Sequence, residues 1–505
     1  MSTPQEALAR FSCTTCRSQK RKCSKELPTC ELCRRNRRRC AYPPDSPSQY
    51  TSFMSTPSGH GIPSFPALFF LDNYTFKAQR GSIDDSPQFD LPSEFRGALG
   101  TTDQLLQDVD RYFSTIHTLF PVISKLRFSN KIITSITNPS NDTILLLLAM
   151  RLVSRTEQDS DVQSGFYDQV KRCYTIVERG NTITLKLLQA GLLIAFHENA
   201  NAIYPAAYLT VRNCATLGQL LGIQSRSPPF NILPPAVSWT ESEERRRTWW
   251  GVIMVDRYIC IGTGGPFACP DTKPEDLLPV EESSWDLGEP TLIQSLAISS
   301  SVDIPASPFT RACQATHLLS RVLQHIQEKH SDVEAYYEEA KQLHLVLDAF
   351  SSAIMHKFDS AHDPGNPEAQ LRLLSAIGIC RSAQIALYDH YTCALFDVNG
   401  GMGTPAQLSM QQLALAGLKS ICTAMSVLAQ QMCEWINNGV DPSQINPFVC
   451  NSLYAAAMNY SWYIRETRQL ELDTPLSVIL ATLRALGSRW TVAREYVKVL
   501  EAGQF

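Results

Sequence analysis

The sequence predicts a mainly α-helical protein: a small cysteine-rich module at the N-terminal end, a flexible linker, and a large all-α region. Three observations predict it. Six cysteines fall in a spaced pattern within residues 13–40, the stretch from Tyr42 to about Asp90 is rich in Pro, Ser, Gly and Thr, and beyond residue 100 apolar residues recur at helical spacing. At 505 residues the chain is too long for one hydrophobic core, and 44% hydrophobic with 19% charged residues is ordinary globular composition.

The cysteine block reads Cys13-x2-Cys16-x6-Cys23-x6-Cys30-x2-Cys33-x6-Cys40. It is an internal repeat, because CTTCRSQKRKC recurs seventeen residues later as CELCRRNRRRC. Ten basic residues (Arg17, Lys20, Arg21, Lys22, Lys25, Arg34, Arg35, Arg37, Arg38 and Arg39) stand against Glu26 and Glu31, giving +8 in a chain whose net charge is −4. Such asymmetry puts a nucleic-acid-binding end on an acidic body.

Structural zinc is tetrahedral and takes thiolate ligands. Six cysteines can close one such site with two thiols left over, or two sites if two sulfurs bridge both metals. The repeat favours the second arrangement, with one equivalent sulfur shared from each half, and Cys13 and Cys30 are the natural candidates. A disulfide scaffold would need a secreted, oxidising context that nothing else in the sequence supports. A redox or metal-storage segment would leave the basic residues unexplained. A segment this short cannot build a sufficient core, so the metal cluster is expected to be its fold.

The spacing of all six cysteines, with Pro28 two residues before the fourth, resembles the fungal zinc binuclear-cluster transcription factors. The resemblance implies two Zn2+ ions held by Cys13, Cys16, Cys23, Cys30, Cys33 and Cys40, with Cys13 and Cys30 bridging. It also implies a short helix and an extended piece in each half, and reading of a G·C-rich triplet such as CGG by Lys20. Arg21 and Lys22 are expected to help on a base or a phosphate, and Arg17, Arg34 and Arg35 to hold phosphates. The run Arg34–Arg39 also fits a nuclear import signal.

Residues 1–12 read as a disordered leader, 13–40 as the DNA-binding domain, 41–99 as a Pro/Ser-rich linker and 100–505 as the helical domain. Pro66–Leu71 is expected to dock on that helical domain. The linker shows no heptads and many prolines, so the protein binds either as a monomer or as a dimer through its helical body. The first twelve residues lack an apolar signal-peptide core, and the longest apolar run, Ile144–Met150, is far too short to span a bilayer, so no membrane partner is expected.

In the body, Thr101-x-x-Gln104 and Thr240-x-x-Glu243 read as capping boxes, and Gly180 and Gly222 as helix stops. Helices are expected from Thr101 to before Pro121, at 142–155, 162–179, 183–198 and 204–221, from Thr240 to Ile261, and at 309–328, 332–356, 368–396, 408–437, 447–464 and 475–501. Tyr112–Ile123, Glu243–Trp250 with Val255–Arg257 and Gly265–Phe267, and Arg489–Tyr496 resemble the regulatory domain that accompanies the cluster in fungal transcription factors. Arg245–Arg247 read as surface and packing residues, and Asp256 with Arg257 as a buried pair holding a loop.

Enzyme motifs are absent. Gly262–Gly265 lacks the Lys-Ser/Thr of a phosphate-binding loop, and His197–Asn201 lacks the second His of a zinc-protease helix. The function that the resemblance implies is regulation of RNA polymerase II transcription from double-stranded DNA in the nucleus, through the transcription machinery or coregulators. A pathway-specific activator is expected, with a corepressor-recruiting protein as the alternative.

Overall fold

Chain contacts divide the protein into two units, Met1–Ile62 and Pro63–Phe505. The computed structural model describes residues 9, 12–19, 21–42, 67–72, 75, 90–135, 138–155, 163–180, 182–224, 232–290, 295–328, 332–363, 365–392 and 404–503.

The first unit has two five-residue helices, Thr14–Ser18 and Glu31–Arg35, each entered from an extended cysteine. Cys13 and Cys30 have nearly the same backbone angles, φ −61°, ψ 152° and φ −64°, ψ 151°. The bonds repeat as the sequence does: the Arg21 N–H donates to the Cys16 carbonyl and the Arg38 N–H to the Cys33 carbonyl, each at 2.9 Å. In the second half this bond closes a C-terminal cap in which Arg37 takes a left-handed φ of 49°. The sequence repeat is thus a repeat of structure.

In the second unit, Thr102–Ser114 opens with the expected reciprocal cap. Thr101 Oγ1 accepts from the Gln104 N–H at 3.3 Å, and the Thr101 N–H donates to Gln104 Oε1 at 3.0 Å. Leu105, Val109, Tyr112 and Phe113 are buried along one face. The helix breaks at Thr115, and Ile116–Leu119 is a separate turn, so the stretch up to Pro121 is not continuous. Ahead of residue 100, Leu91, Phe95 and Leu99 already belong to the body's core.

Asn141–Ser154, Gln163–Arg179, Leu185–Ala200 and Ala206–Leu221 form close to where periodicity sets them, and Lys125–Ser135 adds a helix that periodicity did not reveal. Gly222 ends Ala206–Leu221 at φ +76°, a conformation costly to a side chain. Trp239–Thr263 ties the body together. It packs on Leu185–Ala200 and Ala206–Leu221 before it in sequence, and on Pro308–Gln327 after it.

The start of Trp239–Thr263 corrects the sequence reading. Ser238 is the cap, its hydroxyl accepting from the Glu241 N–H at 3.1 Å, and Glu241 accepts from the Val237 N–H at 3.4 Å. Glu243 cannot serve Thr240 as a capping partner because its carboxylate is fully buried and committed to Arg247 and to the Val280 N–H.

Pro308–Gln327 lies along Glu368–Thr392, which also contacts Val333–Ser360, Pro405–Asn437 and Cys450–Thr467. Gly378 permits the crossing near Phe448, since a Cβ there would meet the Phe448 carbonyl oxygen at 2.6 Å. Residues 475–501, read as one helix, are parts of two, Asp473–Leu486 and Thr491–Ala502. The break turns Trp490 inward, where its indole N–H donates to the Ile445 carbonyl at 2.8 Å.

Ala67–Leu71 forms a short helix with Phe69 buried and Phe70 and Leu71 exposed. Among the described residues there is no strand, and an isolated antiparallel bridge joins Leu277 to Ala297. Pro405–Asn437 is long and apolar enough in composition to cross a membrane, with a mean hydropathy of 1.4 over an eighteen-residue window. Within this fold it buries Met410, Leu418, Met425 and Met432 and exposes Lys419, Gln430 and Glu434. The fold is mainly α.

Candidate metal centre and nucleic-acid interface

The six sulfurs of the first unit converge from both halves. Cys13, Cys16, Cys23 and Cys30 hold their sulfurs within 4.8 Å of one another, and so do Cys13, Cys30, Cys33 and Cys40. Cys13 and Cys30 belong to both quartets. Sγ separations are 3.7 Å for Cys13–Cys30, 3.6 Å for Cys13–Cys33, 3.6 Å for Cys16–Cys30 and 3.9 Å for Cys16–Cys33. Four sulfurs about 2.3 Å from a tetrahedral zinc stand about 3.8 Å apart, so the three separations that fall within a quartet (Cys13–Cys30, Cys13–Cys33 and Cys16–Cys30) suit the ion. They also exclude disulfides as the source of the clustering, since bonded sulfurs lie about 2.05 Å apart.

Local backbone geometry aims the sulfurs. Cys13 Sγ accepts from the Cys16 N–H at 3.4 Å, so the first cysteine of the C-x-x-C pair is also the cap of its helix. The Cys13 N–H donates to Cys23 Sγ at 3.5 Å and the Cys30 N–H to Cys40 Sγ at 3.3 Å, drawing the third cysteine of each half inward. Burial drives the Cys13, Cys16, Cys33 and Cys40 thiols above their usual range. At Cys30 burial also acts upward, but N–H and thiol hydrogen bonds from Cys33, Cys16 and Cys13 outweigh it and bring the group down to about 6. Metal binding at such a site displaces thiol protons.

Around this centre the basic side chains face solvent. Arg17 lies in the last turn of the first helix and Arg34 and Arg35 in that of the second. Arg21 and Lys22 follow the first helix outside regular secondary structure, and all five are exposed. Lys20 lies outside the described residues. One contact had no sequence signal: the Arg38 guanidinium donates to Gln19 Oε1 across the repeat. Both are polar surface positions nineteen residues apart, which no periodicity pairs.

The motifs of the body are structural clamps. Arg247 is fully buried, with Nε 3.0 Å from Glu243 Oε1, a bond to the Val280 carbonyl at 2.6 Å, and its guanidinium 4.3 Å from the Trp285 ring centre. Of the three arginines read as surface and packing residues, Arg247 is the one that packs, while Arg245 and Arg246 stay partly exposed. Asp256 and Arg257 form the expected buried pair. Asp256 accepts from the Ala268 and Cys269 N–H groups, and Arg257 donates to the Cys269 and Pro270 carbonyls, pinning the loop after Thr263. His197, fully enclosed, is brought down to about 3 by burial first and by Arg489 second, so it is neutral at physiological pH.

Comparison with known proteins agrees with both units. Residues 11–49 match the fungal Zn(2)-Cys(6) binuclear cluster domain, and residues 109–352 match the fungal specific transcription factor domain. The transcription factor BOA15 of Botryotinia fuckeliana is 39% identical over 147 residues, covering 28% of this chain and 82% of that protein. The pigment biosynthesis transcriptional activator pigB of Monascus ruber is 23% identical over 540 aligned residues, covering 97% of this chain and 93% of that protein. The depudecin biosynthesis cluster-specific transcription activator DEP6 of Alternaria brassicicola is 30% identical, over 37% of this chain and 31% of its own length. The chain belongs to the fungal zinc binuclear-cluster transcription factors. It is a zinc-binding, DNA-binding regulator of transcription and not an enzyme.

Proposed function

We propose that the protein is a nuclear, pathway-specific activator of RNA polymerase II transcription that reads CGG-like half-sites through a cluster of two zinc ions. The observation that carries this reading is the pair of cysteine quartets sharing Cys13 and Cys30, set among exposed arginines and lysines. Two tetrahedral zincs need eight ligand positions, and six cysteines supply them when two bridge. Cys13 and Cys30 bridge, and Cys16, Cys23, Cys33 and Cys40 complete the two sites.

Lys20 reads the base edge, Arg21 and Lys22 assist, and Arg17, Arg34 and Arg35 hold phosphates. Residues 13–40 act as the DNA-binding domain and 41–99 largely as a linker. Residues 100–505 form the regulatory domain, with the segment from Leu91 packed into its core. The names of pigB and DEP6, both activators of biosynthesis, support activation of a biosynthetic gene set as the role.

The test is selection of bound sites from random DNA with the wild-type protein and Lys20→Ala. A G·C-rich triplet should emerge, and Lys20→Ala should lose about 1–3 kcal/mol of discrimination between matched and mismatched sites. Equal weakening on both would make Lys20 a phosphate contact, and no enriched sequence would refute the reading.

A further inference from the structure

A cleft of about 370 Å3 opens in the body between Lys125–Ser135, the first turns of Asn141–Ser154 and Leu185–Ala200, and the start of Trp239–Thr263. Its apolar wall includes Ile123, Phe128, Leu146, Ile183, Leu185 and Leu233. This volume lies in the range of small-molecule sites, which pair apolar walls with a few placed polar groups.

The polar lining is unevenly satisfied. Arg127 is bound by Glu244 and, at 3.1 Å, by Glu241, and Arg245 meets Glu241 at 2.6 Å. Lys186 differs. Its Nζ donates to Thr143 Oγ1 at 2.6 Å, but the nearest carboxylate oxygen in an ion pair with it, on Asp142, stands at 3.7 Å. That carboxylate is already engaged by the hydroxyls of Ser140 and Thr184, the latter at 3.0 Å. Lys186 is therefore the cation of this lining with no carboxylate at hydrogen-bond distance, and it sits in the first turn of Leu185–Ala200, where the helix dipole adds positive potential. Ser140, at the start of Asn141–Ser154, gives no side-chain cap to that helix, although Asn141, Asp142 and Thr143 are buried.

We propose that this cleft binds a small organic acid, its carboxylate on Lys186 and its apolar body against Phe128, Ile183 and Leu185. The acid would sit in a cleft lined by four helices, including the start of Trp239–Thr263. Its role as an input to transcription rests on the function proposed above. Its binding does not, so a failure here leaves the DNA-site selection untouched, and the reverse also holds.

The experiment titrates the full chain with 3-phenylpropionate and, separately, with uncharged 3-phenylpropionamide, by calorimetry. The acid should bind at least tenfold more tightly than the amide. Lys186→Gln should bring the acid down to the amide's level without changing the amide. Ile183→Trp, which fills the cleft from a half-buried position, should abolish both, while the thermal unfolding midpoint shows each variant still folded. Binding of neither probe, or acid binding that survives both substitutions, would overturn the site.

Discussion

The two units solve the problem of holding a fold in opposite ways. In the cysteine module the buried centre is Cys13, Cys16, Cys30 and Cys33, and two five-residue helices cannot stand without it. In the body, residues from Leu91 to Val497 share one apolar cluster, with Phe120, Phe196, Phe448 and Trp490 at its centre. The module therefore has one point of failure and the body has many, each partial. The lesson bears on control, because metal supply alone sets the module's state, whereas the body changes by degrees.

Metal removal should give the largest contrast. Structural zinc contributes on the order of 10–16 kcal/mol to small metal-folded domains, so strong chelation should unfold the module and abolish specific DNA binding. Far-UV circular dichroism should hardly change, because the body holds nearly all the helix. Loss of most of the helical signal on chelation would break the comparison.

Next in size is a cavity in the body. Phe448→Ala removes a fully buried ring in contact with Phe120, Phe196 and Tyr258, and should cost about 3–5 kcal/mol in urea unfolding. Zinc content should not fall. A zinc loss tracking the body's destabilisation would show that the units do not fail separately.

Acid should act on the body more gently. His197, held near 3 when folded, regains its ordinary value near 6.5 on unfolding, so the unfolded chain binds the extra proton between those values. Its share of stability is present above pH 6.5 and is lost as the pH falls toward 3. His197→Gln should flatten stability against pH across that window, measured by urea midpoints on metal-free protein so that only the body is read. An unchanged slope would mean that His197 does not set the body's acid sensitivity.

The same contrast explains what the sequence made legible. The module's site lies within twenty-eight residues, and ligand spacing with a repeat states its geometry directly. The body's helices were legible where local rules act alone, as at Thr101–Gln104. They were not where partners come from afar. The sequence reading puts the cap at Thr240-x-x-Glu243, but Glu243 is occupied by Arg247 and the Val280 N–H, and Ser238 caps the helix instead. The break before Thr491 depends on Trp490 reaching Ile445, forty-five residues away, and the cleft beside Lys186 draws on segments from Ile123 to Arg245. Periodicity carries none of that information.

The most direct measurement is a zinc titration of the metal-free protein, with bound metal counted by native mass spectrometry and DNA affinity followed on the selected site. Two zinc ions per chain are expected, with specific binding appearing as the two-zinc species forms. A single bound zinc at saturation, or full specific binding before any zinc is bound, would contradict the shared-sulfur cluster.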